Sequence, residues 1–165
     1  MTTRIGILSD THLIRPDEYF RQLVDLCFAD VPIIFHAGDL TDLSVLDAFG
    51  GREVHAVHGN MCHVSSRNNL PAKKIIYVEG FAVGLMHGMG FHHHMEEHLL
   101  REFDKVDCIV FGHTHRPVCH ALFEILFINP GTFIGSGRHG APGTYAILEA
   151  DKTLTGQILE VPRLR

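Results

Sequence analysis

Apolar residues in this chain fall in short unbroken runs rather than alternating with polar ones. Ile5-Gly6-Ile7-Leu8, Pro32-Ile33-Ile34-Phe35 and Cys108-Ile109-Val110-Phe111 are such runs. Continuous apolar runs of this length mark strands buried on both faces, as in parallel sheets. Between the first two, Phe20, Leu23, Val24 and Cys27 recur at helical spacing, and Asp17 stands where a helix cap is needed. Val45, Leu46 and Phe49 predict a second, short helix, capped by Thr41 and stopped by Gly50-Gly51. A third strand is expected over 53–57, and the polar stretch 61–72 reads as a loop. Residues 74–78 and 81–86 predict a hairpin turning at Glu79-Gly80. A helix is expected from about 92 to 103. After the Cys108 run, further strands are expected at 118–122, 125–128, 144–148 and 154–161, with Asn129-Pro130-Gly131-Thr132 as a turn.

Strand and helix alternate in the first half, and strand dominates the second. That order predicts an α/β domain with a parallel core and antiparallel additions. About ten strands in this length suit two packed sheets with helices outside them. Neither an internal repeat nor a low-complexity linker interrupts the pattern. The 165 residues are expected to form a single domain over 1–165 with a substantial core.

Composition narrows the function. Apolar residues make up 45% and charged residues 20%, as in ordinary soluble globular proteins. No run approaches the roughly 18 apolar residues of a membrane span. Met1-Thr2-Thr3-Arg4 leads straight into a strand with no signal-peptide pattern, so the expected setting is cytoplasmic, with no membrane partner. The net charge of −5, without a basic block, argues against stable binding of nucleic acid. It leaves room for a small phosphorylated substrate, because bound metals can supply the positive field. Cys27, Cys62, Cys108 and Cys119 form no Cys-x-x-Cys pair, so neither a zinc ribbon nor a thioredoxin-type motif is indicated, and free thiols are expected.

The candidate chemistry lies at the strand ends. His113 and His115 follow the Cys108 run, where open α/β sheets place ligand sites. With 14 histidines in the chain, about one His-x-His pair arises by chance, and His92/His94 is a second example. What raises His113/His115 above that background is an ordered series. Asp10 with His12, Asp39, Asn60, His87, and His113 with His115 each follow an apolar strand, and four of the five segments carry a Gly beside the polar residue. Glycine lets the backbone turn sharply and approach a ligand closely.

Such a mixture suits two metal ions clamping the attacking and leaving oxygens of an in-line displacement. Asp39 is the best bridging carboxylate. Asp10, His12 and His115 then complete one ion, and Asn60, His87 and His113 the other. Imidazole with carboxylate suits divalent transition metals, namely manganese, iron, cobalt, nickel or zinc, rather than magnesium or calcium. Two dications outweigh the charges of Asp10 and Asp39, so the site attracts a phosphate anion although the chain is acidic. A bridging water would be acidified to hydroxide near neutrality.

Asp10-Thr11-His12, Gly38-Asp39, Gly59-Asn60, His87-Gly88 and Gly112-His113-Thr114-His115 together resemble the five-block signature of the calcineurin-like metallophosphoesterases. His36-Ala37-Gly38-Asp39, together with Gly112-His113-Thr114-His115-Arg116-Pro117 and the later Asn129-Pro130-Gly131-Thr132, is similar to the small prokaryotic phosphodiesterase (YfcE-type) branch. The resemblance spans nearly the whole chain. It implies a four-layer αββα sandwich with a dinuclear metal site at the C-terminal ends of the strands. It further implies a phosphoric diester hydrolase that attacks small phosphodiesters with a metal-bridging hydroxide, manganese being the first choice of ion and nickel another in use. A phosphomonoesterase on the same site is the alternative. A further alternative is a non-catalytic scaffold like the retromer subunit of this fold, although all seven positions here keep usable ligand atoms.

Several positions depart from the pattern or stand beside it. Many relatives have His directly after the Gly-Asn pair; here that place holds Met61, and the next, often acidic in the small branch, holds Cys62. His63 is then the candidate general acid, against an exposed loop histidine. Cys62 is read as a small loop residue, with a soft metal ligand or oxidisable thiol as the sharper alternative. His92, His93 and His94 either line the substrate entrance or form a solvated helix start. His36 either orients Asp39 or a metal-bound water, or is a satisfied core histidine. Arg116 and Arg138 are candidates for touching substrate phosphate. Apolar residues in 127–134 are either core or the contact of a homodimer or higher homo-oligomer.

Overall fold

The computed structural model describes residues 1–135 and 141–164. Its ten strands are β1 (Thr3–Leu8), β2 (Ile33–His36), β3 (Glu53–Ala56), β4 (Lys73–Val78), β5 (Phe81–Met86), β6 (Cys108–Val110), β7 (Val118–Leu122), β8 (Ile125–Asn129), β9 (Thr144–Ala150) and β10 (Leu154–Glu160). Three α-helices, α1 (Glu18–Cys27), α2 (Val64–Asn69) and α3 (Met95–Glu102), and a 3-10 helix over Leu43–Phe49 complete the described elements. The strands form two five-stranded sheets, ordered β10-β9-β1-β2-β3 and β4-β5-β6-β8-β7. In the first sheet β1, β2 and β3 are parallel, and in the second β5, β6 and β8 are parallel. The remaining strands pair antiparallel. The parallel core with antiparallel additions expected from the sequence is thus present in both sheets.

Side-chain alternation along each strand sorts the core into layers. Ile5, Ile7 and Phe35 face Val83, Leu85, Cys108, Val110 and Ile128 between the sheets. The outward residues Leu8, Ile34 and Ile147 pack on Phe20, Leu23 and Val24 of α1 and on Val45 and Phe49 of the 3-10 helix. Across the molecule, Ala82, Ile109 and Phe127 pack on Leu99 of α3 and on Phe103. Helices therefore cover the outer face of each sheet, which is the αββα order. Phe127, Ile128 and Phe133 are fully buried, so these residues belong to the core rather than to a surface contact. All four cysteines are free, and Cys27 and Cys108 are buried. Burial pushes the Cys27 thiol up to about 11. None of the described helices is long and apolar enough to cross a membrane.

Three local expectations are corrected. The 61–72 stretch contains α2, which has too little apolar periodicity to be legible. Its buried Ser66 donates its hydroxyl to the Thr41 carbonyl at 3.0 Å. The 3-10 helix is capped by Asp42, whose carboxylate accepts from Ser44 N–H at 3.0 Å, while Thr41 sits in the left-handed region at φ 74°. Finally, α3 begins at Met95 because His94 adopts φ 52°, outside the helical range.

Candidate metal centre

The parallel strands of both sheets end on the same side of the molecule. Asp10 and His12 follow β1, Asp39 follows β2, and Asn60 follows β3; His87 follows β5, and His113 and His115 follow β6. Each sheet therefore supplies part of one cluster. Asp10 is fully buried, Asp39 is 2% exposed and His87 1% exposed.

Asp10 Oδ1 lies 3.1 Å from His115 Nε2 and 3.7 Å from His12 Nε2. Asp39 Oδ2 lies 3.2 Å from His87 Nε2 and 4.0 Å from His12 Nε2. His87 Nε2 is also 3.9 Å from Asp10 Oδ1. The Asn60 carboxamide oxygen lies 3.2 Å from His87 Nε2 and 3.1 Å from His113 Nδ1. Two groups of donors converge closely enough to share an ion, Asp10/His12/His115 and Asp10/Asp39/His87. Asp10 belongs to both groups, while the sequence reading gave the shared position to Asp39. Asp39 Oδ2 nonetheless faces an imidazole on either side. Cys62 is in neither group; its sulfur accepts from Gly59 N–H at 3.4 Å.

The donor chemistry fits divalent metal. His87 Nδ1–H donates to the Ala37 carbonyl at 2.7 Å, which leaves the Nε2 lone pair for the cluster. Each carboxylate has one oxygen occupied from behind. Ser9 Oγ and His113 N–H donate to Asp10 Oδ2 at 2.6 and 3.3 Å, and Met61 N–H donates to Asp39 Oδ1 at 2.7 Å. The other oxygen of each is left to the histidines. Burial works to raise both carboxyls, but the hydrogen bond from His115 holds Asp10 below the usual range, and that from His87 does so for Asp39. Burial likewise opposes protonation of His87, and its contact with Asp39 reverses the balance upward. His115 is raised by its hydrogen bond to Asp10, whereas burial lowers His113.

The backbone around the cluster is unusual. Asp10, His12, Asp39, His113 and His115 all have φ between 49° and 70°, a region few residues other than Gly, Asn and Asp occupy readily. Such conformations persist where surrounding structure over-determines them, and they concentrate at functional sites. Close approach also fixes two glycines. A Cβ on Gly59 would stand 2.7 Å from Asp39 N, and one on Gly112 would stand 2.9 Å from Asp10 Oδ2.

Supporting residues extend beyond the seven positions. Asn129 is fully buried and donates to the Gly112 carbonyl at 2.9 Å and to Thr114 Oγ1 at 3.0 Å, while its own oxygen accepts from Gly131 N–H at 2.9 Å. The expected structural turn thus clamps the turn that carries His113 and His115. Thr132 Oγ1 donates to the Asp10 carbonyl at 3.1 Å. On α2, Arg67 Nη2 donates to the Asn60 carbonyl at 2.5 Å. Ser9, adjacent to Asp10, and Asn129, at the end of an apolar run, carry a positional signal in the sequence; Arg67 carries none.

His36 is fully buried. Gly38 N–H donates to its Nδ1 at 3.2 Å, so the proton sits on Nε2, which meets Thr11 Oγ1 at 3.1 Å. It ties the turn before Asp39 to the one before His12 and makes no hydrogen bond to the Asp39 carboxylate. Burial lowers its pKa to about 4. The unfolded imidazole therefore binds a proton at a higher pH than the native one, and stability falls as pH drops from about 6.5 towards 4. In metal-free buffer, the stability advantage of wild type over His36→Gln is expected to shrink by about 2 kcal/mol between pH 7 and pH 5. Urea titrations at the two pH values measure it, and a constant difference would contradict it.

The remaining candidates are dispersed. His63 is the exposed N-cap residue of α2, with Nδ1 3.4 Å from Asp42 Oδ2. The His92 ring centroid lies 6.2 Å from that of His113, His94 pairs with Glu97 at 3.3 Å, and His93 is exposed. Arg116 is exposed beside His115. Arg138 lies outside the described residues.

Comparison with known proteins bears on this cluster. A probable metallophosphoesterase of Methanocaldococcus jannaschii is 37% identical over 136 residues, covering 79% of this chain and 68% of that protein. A phosphodiesterase of the same organism is 27% identical over 164 residues, covering 90% and 94%. The solved structure of vacuolar protein sorting 29 from Cryptosporidium parvum superposes with a TM-score of 0.73 at 18% identity, covering 98% of this chain and 99% of that one, and so shares the fold. The family model for the calcineurin-like phosphoesterase superfamily domain matches residues 3–153, and with that span the chain belongs to the calcineurin-like phosphoesterase superfamily.

Proposed function

We propose that this protein is a metal-dependent phosphodiesterase hydrolysing small phosphodiesters, with manganese as its ion. The observation that carries the reading is the convergence of Asp10, Asp39, Asn60 and four imidazoles from two sheets onto one buried-walled cluster. Two divalent ions held there would supply positive field for the phosphate and an acidified water for attack on phosphorus. In this reading Asp39 would be the carboxylate shared by the ions, Asp10, His12 and His115 would hold one, and Asn60, His87 and His113 would hold the other. His87 is kept in the ligating tautomer by the Ala37 carbonyl. The substrate is a free small molecule and the setting cytoplasmic, consistent with the acidic net charge of −5.

Because Met61 cannot donate a proton, leaving-group protonation falls to His63. Asp42 Oδ2, 3.4 Å from Nδ1, orients the ring. His63→Ala is expected to slow diesters with alkyl leaving groups about 10²-fold while changing activated aryl diesters by less than about threefold. Steady-state rates on paired substrates test this, and an equal effect on both removes His63 from the role.

The phosphomonoesterase alternative uses the same groups. The fold shared with vacuolar protein sorting 29 leaves a third reading open, a non-catalytic scaffold. A panel of metals against bis-aryl diesters, cyclic nucleotides and monoesters, on demetallated protein, separates them. The proposal expects diester turnover with manganese, the second reading expects monoester turnover instead, and the third expects none with any metal.

A further inference from the structure

A cavity of about 650 Å³ opens directly beside the cluster, within the size range of sites for small organic ligands. Phe91, Phe111, Val118 and Leu122 form its apolar walls, and His113 and Arg116 line it on the cluster side. His113 Nδ1 faces Asn60 at 3.1 Å, so a single imidazole separates the cavity from the metal-ligand atoms. A phosphodiester held at the cluster has room to extend one ester arm past His113 into this opening.

The walls define what fits. Phe111 is 2% exposed and fixed in the core, and the Phe91 ring is held by stacking on His98 at 4.7 Å with planes 2° apart. Two fixed aromatic walls with Val and Leu opposite suit a flat apolar group better than a hydrated or flexible one. Glu96 and Glu97 also line the cavity, but His120 approaches Glu96 at 2.8 Å and His94 approaches Glu97 at 3.3 Å. Each carboxylate of the rim is thereby engaged by an imidazole. The Arg116 side chain has no hydrogen bond or ion pair among the described residues, and a guanidinium at this rim can lie over an aromatic face. We infer that this cavity is the subsite for one ester arm of the substrate, and that the arm is a planar aromatic group such as an aryl ring or a nucleobase. The inference rests on the phosphodiesterase reading for which molecule carries the arm, but the cavity's preference for it is measurable without turnover.

The test compares p-nitrophenyl phosphodiesters whose second ester group is phenyl or methyl, so that leaving group and chemistry are shared. Burying about 100 Å² of aryl surface predicts a phenyl-over-methyl preference of at least about tenfold in kcat/KM for wild type. Leu122→Trp, which fills the cavity from β7, is expected to bring that ratio close to one. Val118→Phe does the same from the other end of the strand and serves if the first variant does not fold. A wild-type ratio near one, or a ratio unchanged in folded variants, overturns the subsite. In parallel, calorimetry on zinc-loaded protein compares phenylphosphonate with methylphosphonate. If no diester turns over but phenylphosphonate binds about tenfold more tightly and both variants lose the difference, the subsite stands and the diesterase reading falls. Equal binding of the two phosphonates with no turnover removes both.

Discussion

Asp39→Asn is expected to fold normally, to lose most of its bound metal and to drop at least about a thousandfold in diester kcat/KM. Loss of an outer-sphere partner alone typically costs 10–100-fold, and Asp39 is placed among the ligands themselves. The fold should survive because Asn is nearly isosteric and tolerates the φ of 55° that Asp39 adopts. Chemically the change strikes twice. If the new carboxamide keeps its oxygen towards Met61 N–H, its NH₂ takes the place of Oδ2, 3.2 Å from His87 Nε2. A donor then faces the one lone pair that the Ala37 carbonyl had left free on His87. Substitution at one position thus removes a charge and occupies a second ligand. Metal content after desalting and steady-state rates measure the effect. Retention of both metal and activity would sink the assignment of Asp39 to the shared position.

Removing metal is expected to lower the thermal unfolding midpoint of the wild-type protein by about 10 °C or more. A ligand at a thousand times its Kd stabilises the folded state by about 4 kcal/mol. For a chain of this size each kcal/mol moves the midpoint by roughly 2–4 °C. The coupling is strong here because β1 to β3 of one sheet and β5 and β6 of the other each lead into candidate ligands, and among the described residues no strand pairing joins the two sheets. Bound ions would therefore tie together layers otherwise held by side-chain packing. Differential scanning in chelator, then with manganese restored, measures the shift. Asp39→Asn should show little of it. A wild-type midpoint indifferent to chelator would argue that the cluster holds no metal with useful affinity.

The sequence made the site legible largely because the fold puts it at strand ends. A ligand that follows a buried apolar run at one-to-three residue spacing can be found by finding the run. That logic named seven positions whose side chains the fold brings into one cluster, and it located the strands from which they hang. It failed where structure depends on partners distant in the chain. Helix α2 forms from Val64-Ser65-Ser66-Arg67-Asn68-Asn69, a sequence with no apolar stripe, because Ser66 is held by Thr41. The start of α3 was placed too early because a left-handed His94 is invisible to periodicity. Asn129 looked like a turn former, and only its three hydrogen bonds reveal what the turn restrains. Strand order was equally hidden, since nothing local to 144–150 says that it pairs with β1.

That last pairing has a consequence for the protein as it is made. Strand β1 is central and apolar from Ile5 to Leu8, bonded to β2 on one side and to β9 on the other. A ribosome releases β2 soon after β1, but Thr144–Ala150 emerges only after both parallel cores have been synthesised. Until then the nascent chain carries an open strand edge, apolar over its last four residues, beside Asp10 and His12, the kind of edge that recruits other chains. The interval between residue 8 and residue 150 is thus when this protein is most exposed to misassembly. Truncations ending before β9 should aggregate even though all seven candidate ligand positions are already present.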